Sequence, residues 1–378
     1  MINYQWRNSK SFLQVVMNKK IYIGAMTGTS HDAIDISFLS IGTKINLEYF
    51  HSIKLPKSLR LKIKKLIENN ESSLSDLGTI NKEIGFLFSK SINQAIELSK
   101  IKKSSIECVA ISGQTIRHEI NKRFPFSMQI GDPNIVAKET GLLVVSDFRN
   151  MHIAHGGEGA PLVPEFHNQL FYKARNPRII LNIGGISNYS FIKNRNDVWG
   201  TDVGPGNAIL DAYCSDFLHI PFDRNGAIAA KGKIDQVELK RLLQNNFFKR
   251  KCPKSTGKEL FNIKILSKKF LKKKSEDILC TLVEFSAKSI INSIHKNGHS
   301  NCDIIICGGG AHNKYLVKRI SEMASNNVIL SSDLGHDVFA IESMAFAWMG
   351  YKRVNNETLT VQTSSKNVKG LLGSITKI

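Results

Sequence analysis

The sequence predicts an α/β protein with two lobes, each containing a strand-turn-strand hairpin. The chain has 378 residues, enough for two domains of ordinary size, and its hydrophobic content of 42% is typical of globular proteins. Strand and helix patterns alternate along most of it. A glycine-bearing hairpin near the amino terminus also has a counterpart in the second half of the chain.

The first hairpin spans residues 21–38. An apolar run ends in a turn rich in glycine and hydroxyl groups, and a second apolar alternation follows. Gly24 and Gly28 would let the backbone approach an anion, while hydroxyls and amides donate to phosphate oxygens. Asp32 and Asp35 would lie near a metal that accompanies the phosphates. The turn therefore indicates a phosphate site, and the alternative is a hairpin without a ligand.

The rest of the first half alternates short apolar runs with amphipathic segments. Apolar residues near a 3.6-residue period predict one long helix over 75–98. The other predicted elements are strands at 45–53, 108–111 and 142–146, and helices at 58–69 and 133–140. The residues Asp147–Arg149 end the last strand, where polar groups usually serve a ligand in an α/β sheet.

The second half begins with an irregular glycine- and proline-rich connector at His155, where we place the domain boundary. It continues with predicted helices ending near 173, at 208–218, at 279–294 and from 314, and with strands at 178–182, 189–192 and 304–307. Gly184 and Gly185 form the corner of the second hairpin. The residues Trp199–Asn207 are predicted as a turn that opens a helix. The loop Gly308–Gly310 either offers amides to a nucleotide or is simply a tight turn.

The composition excludes several classes of protein. The net charge is +20, with the densest basic run at Lys268–Lys274. Because lysine is abundant throughout the chain, we predict no nucleic-acid partner. No apolar run reaches the ~18 residues that span a bilayer, so we predict no membrane association. The six cysteines are scattered, which is typical of unpaired thiols in a reducing cytoplasm. This spacing argues against a disulfide framework and against a zinc site made of cysteines.

The amino-terminal segment Met1–Lys20 lacks the continuous apolar stretch of a signal peptide. Met17, just before the first strand, is an alternative start of the chain.

Several short motifs resemble those of the anhydro-N-acetylmuramic acid kinase family, within the actin, sugar kinase and Hsp70 superfamily. The resemblance covers residues 21–351 in the family's order. The motifs are Met26-Thr27-Gly28-Thr29-Ser30, Gly113-Gln114-Thr115, Asp147-Phe148-Arg149, Gly159 to Pro164, Asn182 to Asn188, Asp202-x-Gly204-Pro205-Gly206-Asn207, Pro253 to Gly257 and Glu342 to Phe346.

The resemblance implies a two-lobed actin-like ATPase fold of the ribonuclease H type, with the active site in the cleft between the lobes. It divides the chain into an amino-terminal lobe, 20–150 plus 345–378, and a carboxy-terminal lobe, 151–344. It also implies a cytoplasmic homodimer.

The activity implied by the resemblance is hydrolysis of 1,6-anhydro-N-acetylmuramic acid at its anomeric carbon, coupled to phosphorylation of the released O6 by ATP. A single carboxylate base, Asp202, would activate the water. Without the resemblance, we would interpret Asp202 as the cap of the following helix.

The other site residues follow from the same resemblance. Magnesium would arrive with the nucleotide rather than in a metal site made by the protein. The residues implied for ATP are Gly28, Thr29, Ser30, His31, Asp32, Ala33, Ile34, Asp35, Gly184, Gly185, Gly308, Gly309 and Gly310. Those implied for the sugar are Gln114, Thr115, His118, Arg149 and Glu342, of which Arg149 would bind the lactyl carboxylate.

Three positions depart from the family pattern. Ala33, Ser112 and Glu158 stand where the family usually has glycine, histidine and glutamine. A methyl group at Ala33 would crowd the turn if that residue required a positive φ. Two alternative functions remain: another sugar kinase of the superfamily, and a non-catalytic ATP-dependent clamp.

Overall fold

The computed structural model describes residues 19–28, 31–68, 73–120, 122–362 and 367–378. The amino-terminal segment that contains Met17 and the turn residues Thr29 and Ser30 lie outside the described residues.

The described chain alternates strands and helices, as the sequence predicts. The strands are β1 Ile21–Met26, β2 Ala33–Ile41, β3 Ile45–Lys54, β4 Ile106–Ile111, β5 Gln114–Glu119, β6 Phe126–Ile130, β7 Val144–Ser146, β8 Arg178–Ile183, β9 Ile186–Asn194, β10 Asp197–Pro205, β11 Asp303–Cys307, β12 Val328–Leu330, β13 Leu359–Gln362, β14 Asn367–Gly370 and β15 Ser374–Thr376. The helices are α1 Lys57–Glu68, α2 Leu74–Ser99, α3 Pro133–Thr140, α4 Phe148–Ala154, α5 Pro164–Phe171, α6 Ala208–Leu218, α7 Gln236–Leu243, α8 Ser275–Lys296, α9 Lys314–Met323 and α10 Ala340–Val354. Each helix and strand predicted from the sequence is present, with its ends displaced by a few residues at most.

These elements form two compact units. Unit 1 takes the described residues up to Ala154, together with Glu342–Leu359 and Gly370–Ile378. Unit 2 takes His155–Ile341 and Thr360–Lys369. Unit 1 is therefore assembled from three separate stretches of the chain.

The sheet of unit 1 has the order β15-β7-β4-β1-β2-β3. Strands β1, β2 and β3 form an antiparallel meander, and β4 and β7 continue it in parallel from β1. On α2, residues four positions apart share one face, and Ile80, Ile84, Phe88 and Ile92 are buried in one cluster with the inward side chains of β1. This packing fixes the first hairpin against a solid core.

The sheet of unit 2 repeats this arrangement in the order β10-β9-β8-β11-β12. Its first three strands are again an antiparallel meander, and β11 and β12 extend it in parallel from β8. The largely buried helix α8 contributes Leu279, Leu282, Val283 and Phe285 to the core. The same strand order in both sheets confirms the predicted α/β fold of the ribonuclease H type.

One predicted element is wrong. Residues 199–207 were expected to be a turn, but β10 runs through Pro205 and pairs with β9. The glycines that favoured a turn are instead accommodated within the strand. Gly200 lies against Pro161 and Pro164, where a side chain would not fit. Gly204 has a φ of +142° at a register shift in the pairing of β10 with β9. No helix in the described part of the chain is both long and apolar enough to span a bilayer.

Candidate functional site

The first hairpin turn is held from below by the loop after β4. The Thr27 amide donates to the Ser112 hydroxyl at 3.2 Å, and the Thr27 hydroxyl donates to Gln114 Oε1 at 3.0 Å. The Ser112 amide donates in turn to the Ala25 carbonyl. Gln114 is 1% exposed. Gln114, expected to contact the sugar, therefore lies beneath the turn and fixes the position of Thr27.

The residues after the turn quickly enter strand β2. His31 has a φ of 56°, and its amide donates to the Gly28 carbonyl at 3.2 Å. Ala33 begins β2 and pairs with Lys54 in extended conformation. The condition under which the Ala33 methyl group would crowd the turn is therefore not met, because the left-handed residue is His31.

The two aspartates of the hairpin have partners within unit 1. Asp32 forms an ion pair with Arg60, and the Ser52 hydroxyl donates to Asp35 at 2.6 Å. Within the described residues, no group of three or more histidine, cysteine, aspartate or glutamate side chains is placed to hold a metal ion.

Gly24 serves helix packing rather than an anion. A Cβ at this position would overlap the Ser343 carbonyl oxygen and the Ala347 amide nitrogen, both in the backbone of α10. The interpretation of Gly24 as a residue that admits phosphate is therefore wrong. Its missing side chain lets α10 approach β1 directly.

Three residues predicted to contact the sugar, Thr115, His118 and Arg149, are brought together around the β5–β6 hairpin. His118 Nδ1 lies 2.9 Å from the Ser127 hydroxyl, and Gln129 Nε2 donates to Ser127 at 2.7 Å and to Thr115 at 3.3 Å. Burial lowers the pKa of His118 to about 4, and the nearby charge of Arg149 contributes. His118 is therefore neutral at pH 7, and its ring can donate one hydrogen bond and accept another.

Sequence analysis missed Ser127, Gln129 and Asn150 in this cluster. The Ser127 amide donates to Asn150 Oδ1 at 2.9 Å, which ties α4 and its Arg149 to the hairpin. Gln129 Oε1 is buried without a hydrogen-bond partner in the described chain. The sequence signal for Ser127 and Gln129 was the alternation of polar residues in an otherwise apolar strand, whereas Asn150 on α4 had no such signal.

Glu342, the remaining residue expected at the sugar, lies in the first turn of α10. The neighbouring Ser343 hydroxyl is 2.7 Å from the Ser37 hydroxyl, so this helix end is fixed to β2.

In unit 2, the second hairpin corner is fastened to the start of α6. The Gly185 carbonyl accepts hydrogen bonds from the amides of Gly206 and Ala208, and the Gly184 carbonyl accepts from Asn207, at 2.9 to 3.0 Å. A Cβ on Gly206 would overlap the Gly184 carbonyl oxygen. The corner is thus rigid, as an anion-binding turn requires.

Lys258 lies over this corner and was not identified from the sequence. A Cβ built on Gly185 would lie 2.9 Å from Lys258 Cε and 3.7 Å from Nζ. A lysine ammonium beside a glycine corner is a suitable donor set for phosphate oxygens. Its sequence signal was its position directly after the Pro253–Gly257 motif, to which no role had been given.

Asp202 lies on β10, half-buried and fixed by the same motif. Its amide donates to the Lys254 carbonyl at 2.9 Å, and its Oδ2 accepts the Thr256 amide at 2.8 Å. Asn207, not Asp202, occupies the position before α6. The alternative that Asp202 caps this helix is therefore wrong.

The Thr256 hydroxyl is buried beside Asp202 without a hydrogen-bond partner in the described chain. It is a second functional candidate that the sequence analysis missed.

The third glycine loop follows β11. Gly308 has a φ of +80°, donates its amide to the Val338 carbonyl at 2.9 Å, and leaves no room for a Cβ beside Asn182 and Ile183. Gly310 is similarly close to Ile183, whereas Gly309 is exposed. The loop is therefore a tight turn at Gly308 that leaves Gly309 exposed, and its role in nucleotide binding stays a prediction.

Comparison with known proteins agrees with these motifs. The sequence profile of the anhydro-N-acetylmuramic acid kinase family matches residues 20–377. An anhydro-N-acetylmuramic acid kinase from Gamma-proteobacterium EBAC31A08 is 93% identical over 361 residues, covering 96% of this chain and 99% of that protein. The kinase of the same name from Shewanella pealeana is 40% identical, covering 89% of this chain and 92% of that protein. The match extends over both units, and this chain therefore belongs to the anhydro-N-acetylmuramic acid kinase family.

Proposed function

We propose that the protein is a carbohydrate kinase that uses ATP and water to convert 1,6-anhydro-N-acetylmuramic acid into N-acetylmuramate 6-phosphate and ADP. This reaction would return a cell-wall sugar to amino-sugar metabolism. The assignment of this substrate is supported by a match to the family over residues 20–377 and by 93% identity to a kinase of this name. The observation that carries the chemistry is the half-buried Asp202 carboxylate on β10, which accepts a hydrogen bond from the Thr256 amide.

Asp202 is proposed as the general base. It would accept a proton from water as the water oxygen bonds to the anomeric carbon and the bond from that carbon to O6 breaks. The electron pair left on O6 would then attack the γ-phosphorus, and ADP would leave. One carboxylate suffices, because the phosphoryl group captures the oxygen that a second carboxyl group protonates in a glycosidase.

The nucleotide is proposed to lie along the three glycine turns. Gly184, Gly185 and Lys258 of unit 2 supply a rigid corner and a positive charge for phosphate oxygens, and Gly309 lies in the loop proposed for adenosine. The turn residues 28–35 are proposed as the phosphate contact of unit 1, with Thr27 positioned by Gln114. Magnesium, proposed to arrive on the triphosphate, would neutralise phosphate charge.

The sugar is proposed to meet the polar cluster of unit 1. Arg149 offers a forked donor for the lactyl carboxylate, whereas neutral His118 and the amide of Gln129 offer hydrogen bonds to hydroxyl groups. Thr115 and Glu342 are proposed as further contacts. We also propose that the enzyme acts in the cytoplasm as a homodimer, in line with the sequence expectation.

The direct test is incubation of the purified chain with ATP and 1,6-anhydro-N-acetylmuramic acid. ADP and a sugar phosphate should appear in equal amounts. In ¹⁸O-labelled water, the label should enter at the anomeric carbon and not in the phosphate. N-acetylglucosamine is the comparison substrate, because an ordinary sugar kinase of this superfamily would phosphorylate it without needing an anhydro bond. Phosphorylation of that sugar alone would contradict the proposal, as would label in the phosphate.

A further inference from the structure

A basic cavity lies in unit 2 behind the strand that carries Asp202. Its volume is about 290 Å³, and its walls come from the segment after α7 and from α8. Arg250, Lys251, Lys254 and Lys296 line it, and none of its described lining residues is acidic. The volume is at the small end of ligand-binding cavities, which suits a small ligand.

Two of the ammonium groups are fixed side by side. Lys254 Nζ donates to the Phe247 carbonyl at 3.0 Å and lies 4.2 Å from the centroid of the Phe247 ring. Lys296 Nζ donates to the next two carbonyls, those of Phe248 and Lys249, at 3.2 and 3.3 Å. Adjacent carbonyls of a single turn therefore hold both positive charges in one place.

No carboxylate among the described residues balances these charges. Burial lowers the pKa of Lys254, Cys252 opposes this shift, and the positive charges of Lys296 and Arg250 add to it. None of the four cations forms an ion pair with another residue in the described ranges. Like charges held together in a partly dry cavity repel one another, and an anion that enters would relieve that repulsion.

We propose that this cavity binds a small phosphate-bearing anion, either inorganic phosphate or a phosphate monoester. A phosphate dianion matches several converging cations, and the guanidinium of Arg250 provides a planar pair of donors. Asn292 and Ser293 of α8 add neutral polar groups to the wall. The cavity takes no part in the chemical steps of the proposed kinase reaction.

The cavity connects to the catalytic strand through Lys254. The side chain of Lys254 lines the cavity, while its amide donates to the Thr201 hydroxyl at 3.0 Å and its carbonyl accepts the amide of Asp202. A bound anion would consequently stabilise the segment that positions Asp202.

Cys252 gives the test a local reporter. It lines the cavity and is half-buried, whereas the other five cysteines are buried. We would measure the rate of Cys252 alkylation by iodoacetamide in the full chain, with a non-hydrolysable ATP analogue present to fill the nucleotide site. Inorganic phosphate, a hexose 6-phosphate and chloride would be compared at equal ionic strength.

We expect the phosphate compounds, but not chloride, to slow alkylation by a factor of 1 + [L]/Kd, or roughly tenfold at ten times Kd. Stronger protection by the hexose 6-phosphate would identify a monoester as the ligand, and stronger protection by inorganic phosphate would identify the free ion. The double variant Arg250→Gln, Lys296→Gln should lose the protection. Lys268→Gln, Lys269→Gln removes equal charge from an exposed segment outside the cavity and should retain it.

Equal alkylation rates in phosphate and chloride would overturn the proposal, and this arm needs no variant to fold. Full protection in the Arg250→Gln, Lys296→Gln protein would also overturn it. The alkylation rate does not depend on turnover, so failure of the kinase assay would leave this result interpretable.

Discussion

At the candidate site, Asp202 is held by backbone groups of the segment that follows Cys252. Asp202 receives the Thr256 amide, and its own amide is bound by Lys254. The contact of the Asp202 amide is independent of the side chain, and an asparagine at this position would still offer an oxygen to the Thr256 amide. The chemistry of a functional side chain here can thus be altered without losing its position.

Replacing Asp202 tests its proposed role as the general base. Asp202→Asn keeps the size of the side chain and an oxygen that can accept the Thr256 amide, but removes the proton acceptor. Turnover should fall by at least the ~10²-fold typical of lost general-base catalysis, while ATP affinity remains. ADP release and nucleotide binding are the measurements.

The matched control is Asp197→Asn, at the other end of β10, which should retain activity. Near-normal turnover of Asp202→Asn would show that another group activates the water.

The buried His167 on α5 predicts a pH dependence of stability. It is 1% exposed, and burial lowers its pKa from 6.5 to about 3. The folded protein holds it neutral, whereas the unfolded chain binds a proton near pH 6.5. Its contribution to stability is therefore complete above pH 6.5 and declines as the pH falls towards 3, losing about 2 kcal/mol by pH 5.

Urea unfolding at pH 7 and pH 5 measures this effect. His167→Gln should lose less stability than the wild type between the two values, and His219→Gln, at an exposed histidine, should behave as the wild type does. An identical loss in the wild type and His167→Gln would contradict the assignment.

At the scale of elements, the sequence predicted the helices and strands well but not the reasons for their glycines. Gly24 and Gly204 both suggested turns. The structure uses Gly24 for contact with α10 and Gly204 for an irregularity inside β10. A glycine signals that a side chain is not tolerated, but the neighbour that excludes it is set by tertiary contacts far away in sequence.

Gly24→Ala tests the contact between β1 and α10. The new methyl group would meet backbone atoms of Ser343 and Ala347, which cannot move aside as a flexible side chain could. We expect a loss of about 3 kcal/mol or more in the free energy of unfolding. Gly42→Ala is the control, because a Cβ there has no neighbour within 4 Å in the described structure. Equal melting temperatures for the two variants would show that α10 does not constrain β1.

Only some residues of the candidate site could be predicted from the sequence. Motif residues such as Asp202 and His118 could be named from the sequence because the motifs that contain them resemble those of a known family. Lys258, Thr256 and Gln129 were missed, because each gains its position from a neighbour that is remote in the chain or from burial that composition does not reveal. Gln114 was assigned to the sugar, and its burial beneath Thr27 depends on the fold of the loop before β5.

At the scale of the whole molecule, the carboxy-terminal residues complete unit 1. Strand β15 pairs with β7, Leu372 is 2% exposed, and the Gly373 carbonyl accepts a hydrogen bond from Arg353 Nε at 2.7 Å. Deleting 370–378 should lower the free energy of unfolding of unit 1 by several kcal/mol, because one buried leucine and an edge strand are lost.

Hydrogen exchange should show lost amide protection in β7 and β4, with β8 and β11 of unit 2 unchanged. Deletion of 377–378 alone is the control, because both residues follow β15 and Ile378 is 76% exposed. Uniform loss of protection in both units would show that they do not unfold separately.

The contact between β2 and α10 also has a consequence for biosynthesis. Ser37 and Ser343, whose hydroxyls meet in unit 1, are 306 positions apart in the chain. At translation rates of about 5–20 residues per second, the first hairpin waits roughly 15–60 s for the helix that covers it. During that interval the ribosome completes nearly all of unit 2. We therefore expect unit 2 to fold first on the ribosome, while the nascent β1–β3 meander exposes apolar surface that chaperones can bind.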